Sequence, residues 1–192
     1  MNVGRLPDGY RLIGKIELSD DLPTARKIAI LSVAIAVVSF CVGLALVPFR
    51  RTFSVEAGVG ILLRRIVCTI GLILAYLVLH EGVHGLFIRI LGKVKPTFGV
   101  SGAYLYAGTD RAWFDRMSYL VIALAPVVVW TIVLTIGLAM ASSQWFWALY
   151  LVQVVNLSGS AGDLFLAGTV LRMPPDVLVQ DTGVSMSFFS RM

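Results

Sequence analysis

The chain contains two histidines, His80 and His84, four residues apart with Glu81 beside the first, in the run His80-Glu81-Gly82-Val83-His84. On a helix, residues four apart lie one turn apart on one face, so both imidazoles can address a single metal ion. Glu81 sits about 100° further round the helix, where its carboxylate can reach a water at that metal without ligating it. Two imidazoles and an adjacent carboxylate are the parts of zinc-assisted hydrolysis, in which Glu81 takes a proton from the water and passes it to the leaving amine.

A catalytic zinc takes a third protein ligand, and no histidine is left to supply it. Cys41 and Cys68 lie in apolar stretches and read as small hydrophobes. A carboxylate must serve. Of the eleven acidic residues, Glu81 and Asp163 alone fall well inside apolar segments, which nominates Asp163 as the third ligand. A salt bridge from Asp163 to an arginine such as Arg89 is the alternative. Asp110 and Asp115 flank an apolar segment and are expected to cap its helix. Asn156, Ser160 and Asp163 follow an i, i+4, i+7 spacing that puts them on one helix face, and Gly159 and Gly162 beside them allow close helix approach. Asn156 and Ser160 then contact substrate or brace the metal ligands, or else make ordinary interhelical hydrogen bonds.

The elements that must hold these residues are apolar. Hydrophobic residues make up 58% of the chain, charged residues only 14%, and the mean hydropathy is +0.87. Soluble domains carry about 25% charged residues, so the composition indicates an integral membrane protein. Four spans are expected, at about 26–47, 61–91, 117–141 and 145–171, in one membrane-embedded unit over 1–192. The fold class is therefore all-α and polytopic. Arg64 and Arg65 are expected at the interface, and His84 lies about 10 Å of helix before the exit of the second span. Pro126 should kink the third helix, either opening room for water or substrate or as a tolerated bend. The polar opening segment lacks the apolar core of a signal peptide and is expected to be retained.

Between the second and third spans, residues 94–106 mix β-branched and aromatic residues with glycine, which suits a short hairpin or an interfacial loop. Segments 9–18 and 176–189 have a similar character and could pair with it. A strand edge here could bind an extended substrate backbone. The net charge of +5 comes from basic residues at the ends of apolar segments, where they anchor helices, so no nucleic-acid partner is expected. Most of them fall on the side of the termini and of the 93–116 loop. This places both termini and the exit of the zinc-motif helix in the cytoplasm, although Arg50, Arg51, Arg64 and Arg65 run against the rule.

Four segments carry a resemblance to a known family. They are His80-Glu81-Gly82-Val83-His84-Gly85-Leu86-Phe87, the loop from Phe98 to Tyr106, Leu124-Ala125-Pro126, and Asn156-Leu157-Ser158-Gly159-Ser160-Ala161-Gly162-Asp163. With them the chain resembles the putative zincin peptidase family of small bacterial membrane proteins, relatives of the site-2 proteases. The resemblance implies zinc held by His80, His84 and Asp163, Glu81 as base, Asn156 assisting, a cytoplasm-facing site and a hairpin that holds extended substrate. Many site-2 proteases have a proline between the asparagine and an Asp-Gly pair; here the order is Gly162-Asp163-Leu164 with no proline.

The reading is a zinc-dependent endopeptidase acting in or near a bacterial cytoplasmic membrane. Its partners are the lipid bilayer and a peptide or membrane-protein substrate. Its rivals are a non-catalytic membrane protein that retains the zinc site and a metal-ion transporter. The glycine-rich faces serve intramolecular packing or dimerisation equally.

Overall fold

The structure, a computed structural model, describes residues 4–17, 21–56, 58–102 and 104–191. In chain order the elements are β1 (Tyr10–Glu17), α1 (Leu22–Leu46), a 3-10 turn (Phe49–Arg51), α2 (Val59–Gly92), β2 (Thr97–Ser101), β3 (Tyr104–Gly108), β4 (Phe114–Asp115), α3 (Arg116–Met140), α4 (Phe146–Gly159), α5 (Ala161–Leu171), β5 (Leu178–Asp181) and β6 (Ser185–Arg191). Among the described residues, four helical stretches are long and apolar enough to cross a membrane: α1, α2, α3 and the α4–α5 pair. The first begins earlier than apolarity suggests, because Asp21 accepts the Thr24 amide at 3.0 Å and Pro23 fits the first turn of a helix.

The fourth stretch corrects the expectation of one continuous helix over 145–171. It breaks at Ser160, whose ψ of 8° leaves the helical well. The Ser160 amide and hydroxyl both donate to the Asn156 carbonyl, at 3.3 and 2.8 Å, which tightens the last turn of α4. Gly159 and Gly162 on either side offer little helix propensity to resist the break. The spacing of Asn156, Ser160 and Asp163 is therefore not that of one unbroken helix face.

The β content exceeds a lone hairpin. β2 and β3 form the expected antiparallel hairpin, with Thr97 opposite Gly108 and Ser101 opposite Tyr104. A second sheet has the order β1-β6-β5-β4 and is antiparallel throughout. The segments near the two termini thus pair with each other, and among the described residues of the 93–116 loop β4 joins their sheet. Leu18, Asp20 and Ala103, at the edges of these segments, lie outside the described residues.

The chain divides into two compact units. One comprises residues 29–79 and 127–161. Its core is built on Trp147, fully buried, whose indole donates to the Val47 carbonyl at 2.9 Å and whose amide donates to Thr52 Oγ1 at 3.1 Å. Arg65 is buried within the protein, where its guanidinium donates to the Thr52 carbonyl and to Gln144 Oε1, both at 2.8 Å, partners in the connections between the helical stretches. Arg64 is exposed.

The other unit comprises residues 1–28, 80–126 and 162–192 and holds the histidine motif. Its core joins Ile88 of α2, Phe114 of β4, Ile122 of α3, Val170 of α5, Val179 of β5 and Phe188 of β6. The hairpin is locked to the β5–β6 turn. The Thr109 amide donates to the Asp181 carbonyl at 2.7 Å, and a Cβ on Gly108 would overlap the backbone of Thr182. Gly183 has a φ of +85°, and the Tyr106 ring occupies the space a Cβ there would need. Gly183→Ala should therefore destabilise this unit by about 1–3 kcal/mol, through backbone strain and overpacking together. Thermal unfolding in detergent checks this, and an unchanged midpoint would contradict it.

Candidate metal centre

His80, Glu81 and His84 lie on the C-terminal part of α2, and both imidazoles are buried, 7% and 9% exposed. Their rings stand edge to face with centroids 5.1 Å apart. Asp163, in the first turn of α5, brings its carboxylate against both rings. Oδ2 is 3.4 Å from His80 Nε2, and Oδ1 is 3.4 Å from His84 Nε2. N–H···O hydrogen bonds run at about 2.7–3.2 Å, so these contacts are long for hydrogen bonds. Two ligands of one tetrahedral zinc, each at about 2.0–2.2 Å, are about 3.3–3.5 Å apart. The donor set and its spacing fit zinc.

Glu81 is also near. Its carboxylate and the two imidazoles offer ligand atoms that all lie within 4.8 Å of one another, a group that does not include Asp163. Two carboxylates thus flank the histidines. Asp163 is the better placed to ligate, since each of its oxygens faces one Nε2 at 3.4 Å.

The proton of His84 can be located. Its Nδ1 lies 2.9 Å from the Ile122 carbonyl, which can only accept, so Nδ1 carries the hydrogen. The Nε2 lone pair of the neutral ring is then free for a metal, the arrangement that orients metal-ligating histidines.

Asn156 and Ser160 have partners of their own. Asn156 is fully buried, accepts from the Tyr76 hydroxyl at 3.1 Å and donates to Thr131 Oγ1 at 2.9 Å. Ser160 donates to the Asn156 carbonyl. These are bonds of the interhelical and capping kind. Asp115 caps α3 by accepting the Ser118 amide at 2.9 Å, while Asp110 is exposed beside Arg111.

A cavity of about 140 Å³ opens on Glu81, His84 and Asp163, with apolar walls that include Leu105, Ile122, Leu166 and Met186. Tyr119 and Asp181 also line it. The Tyr119 hydroxyl donates to Asp181 Oδ2 at 3.3 Å, and the Gly183 amide donates to Oδ1 at 2.8 Å. Burial pushes the Asp181 carboxyl above its usual range, against the lowering effect of the Gly183 amide. Counting carboxylates inside apolar spans passes over Asp181, which lies beyond them. Asp181-Thr182-Gly183 announces a turn in the sequence, but nothing local says that the turn folds back to the histidines.

A protein from Pyrococcus woesei, named as an uncharacterized 24.7 kDa protein in the gap 5′ region, is 29% identical over 115 residues. That match covers 57% of this chain and 49% of the relative, so the chain matches about half the length of that protein. No solved structure matches the chain. The profile of the family described as "Putative zincin peptidase" matches residues 73–178, a stretch that holds the histidine motif, the hairpin, Pro126 and Asp163. The chain therefore belongs to the putative zincin peptidase family.

Proposed function

We propose that the protein is a zinc-dependent endopeptidase that cleaves peptide bonds in or next to the membrane. The observation that carries this reading is the approach of Asp163 to both imidazole Nε2 atoms at 3.4 Å with Glu81 alongside. His80, His84 and Asp163 would hold the metal. When bound, zinc supplies Lewis-acid polarisation of the scissile carbonyl and lowers the pKa of the attacking water towards neutrality. Glu81 accepts the proton of that water on its carboxylate and returns it to the leaving amine nitrogen. An intact base beside the ligands favours this over a purely structural zinc site, which has no use for one.

Four helical stretches of spanning length support a membrane setting, as does the exposed surface of α1, of whose most apolar window only 11% is buried. Such a surface is stable in lipid and not in water. The distribution of Lys and Arg favours cytoplasmic termini. Removing zinc with a chelator should abolish cleavage of a membrane-tethered reporter, and zinc should restore it. Cleavage that persists with no zinc in the protein would sink the proposal.

The free edge of β3 suits an extended substrate. Ser101 and Tyr104 close the hairpin as a hydrogen-bonded pair and such pairs alternate along it, so Leu105, opposite Val100, presents its amide away from β2. Leu105 lines the cavity. Leu105→Pro removes one edge donor and no β2–β3 bond, so it should raise KM about 10-fold while the hairpin persists. An unchanged KM for a long peptide would show that β3 does not bind backbone.

A further inference from the structure

Pro126 lies within α3, four residues after Ile122, and the helix continues on both sides of it. In an α-helix the amide of residue 126 would donate to the carbonyl of residue 122. Proline has no amide hydrogen, and its ring presses on that same carbonyl. The Ile122 carbonyl therefore loses its helical partner, yet it faces a buried interior where an unpaired carbonyl is costly. His84 Nδ1 is the group that pairs with it, at 2.9 Å. We infer that Pro126 is a positioning residue for the metal centre: by withholding an amide it reserves the Ile122 carbonyl for His84 and so fixes which nitrogen of that ring is presented for metal binding.

The inference rests on His84 being a zinc ligand and adds a reason for a proline in the middle of a spanning helix. Neither a tolerated bend nor an opening for water accounts for a carbonyl aimed at the back of an imidazole. With any other residue at 126, a helical amide would compete for the same oxygen. The His84 ring would then lose its directional restraint, and its Nδ1–H tautomer would no longer be favoured.

Two substitutions separate the missing amide from the bend. Pro126→Ala restores the amide hydrogen and removes the ring. Pro126→lactate, introduced as an α-hydroxy acid, removes the ring but also lacks the hydrogen. Zinc affinity by chelator competition is one readout. The other is solvent exchange of the His84 Nδ1 proton in ¹⁵N-histidine spectra, which are simple because the chain has two histidines. Pro126→Ala should weaken zinc binding about 10- to 100-fold, the usual effect of losing a partner that orients a metal ligand, and should expose the Nδ1 proton to exchange. Pro126→lactate should resemble wild type in both. Equal losses in the two variants would assign the effect to the bend, and wild-type behaviour of Pro126→Ala would show that the amide does not compete; either result overturns the inference. If the wild type binds no zinc, the metal reading fails on its own account, while Nδ1 exchange still decides the role of Pro126.

Discussion

Glu81→Gln is expected to bind zinc as the wild type does and to lose cleavage by about 10³-fold or more. The substitution keeps the shape of the side chain, and the glutamine oxygen keeps one hydrogen-bond acceptor at that position. What it removes is the only property the proposed chemistry needs from this position, the capacity to accept a proton and release it to the amine. The metal ligands are untouched, so zinc content measured by atomic emission should stay at the wild-type level. The non-catalytic rival predicts no activity in either protein. A transporter predicts zinc flux that does not depend on a proton acceptor at residue 81. Full cleavage by Glu81→Gln would remove Glu81 from the mechanism.

The second large effect is on the metal itself. Asp163→Asn should lower zinc affinity by at least about 100-fold, since a ligand cannot matter less than the groups that merely orient one. The amide is isosteric but neutral, and its oxygen is a poor zinc donor beside a carboxylate. Folding should survive, because Asp163 is held by the two imidazoles rather than by the helix network around it. If Asp163→Asn binds zinc like the wild type, Glu81 becomes the candidate third ligand, since its carboxylate also lies within 4.8 Å of both imidazole ligand atoms. The two variants therefore assign the two carboxylates, one by rate and one by affinity.

The histidine motif and the spans are legible in the sequence because both depend on local periodicity. Two histidines at helical spacing and long apolar runs need no tertiary information to be seen. Asp163 can be reached by counting, since few carboxylates sit in apolar surroundings. The break at Ser160 is harder, because it arises from a serine bonding back to Asn156 inside a run that is apolar throughout. The burial of Arg65 depends on Thr52 and Gln144, 13 and 79 residues away in the chain. The pairing of β1 with β6 joins residues near opposite ends, Tyr10 with Arg191, and no local pattern specifies such a partner. Tyr119 and Asp181 escape for the same reason. They meet 62 residues apart in sequence, and their place beside the histidines exists only once α3 and the β5–β6 turn are folded. Pro126 is visible in the sequence as a bend, but its link to His84 requires knowing which carbonyl the imidazole faces.

The most direct measurement of the central claim is cleavage of a membrane-tethered peptide reporter by the purified, zinc-loaded protein in H₂¹⁸O, with products read by mass spectrometry. The account predicts a single new carboxyl terminus carrying one ¹⁸O, absent after zinc removal and absent with Glu81→Gln. An intact reporter with zinc fully bound would contradict it.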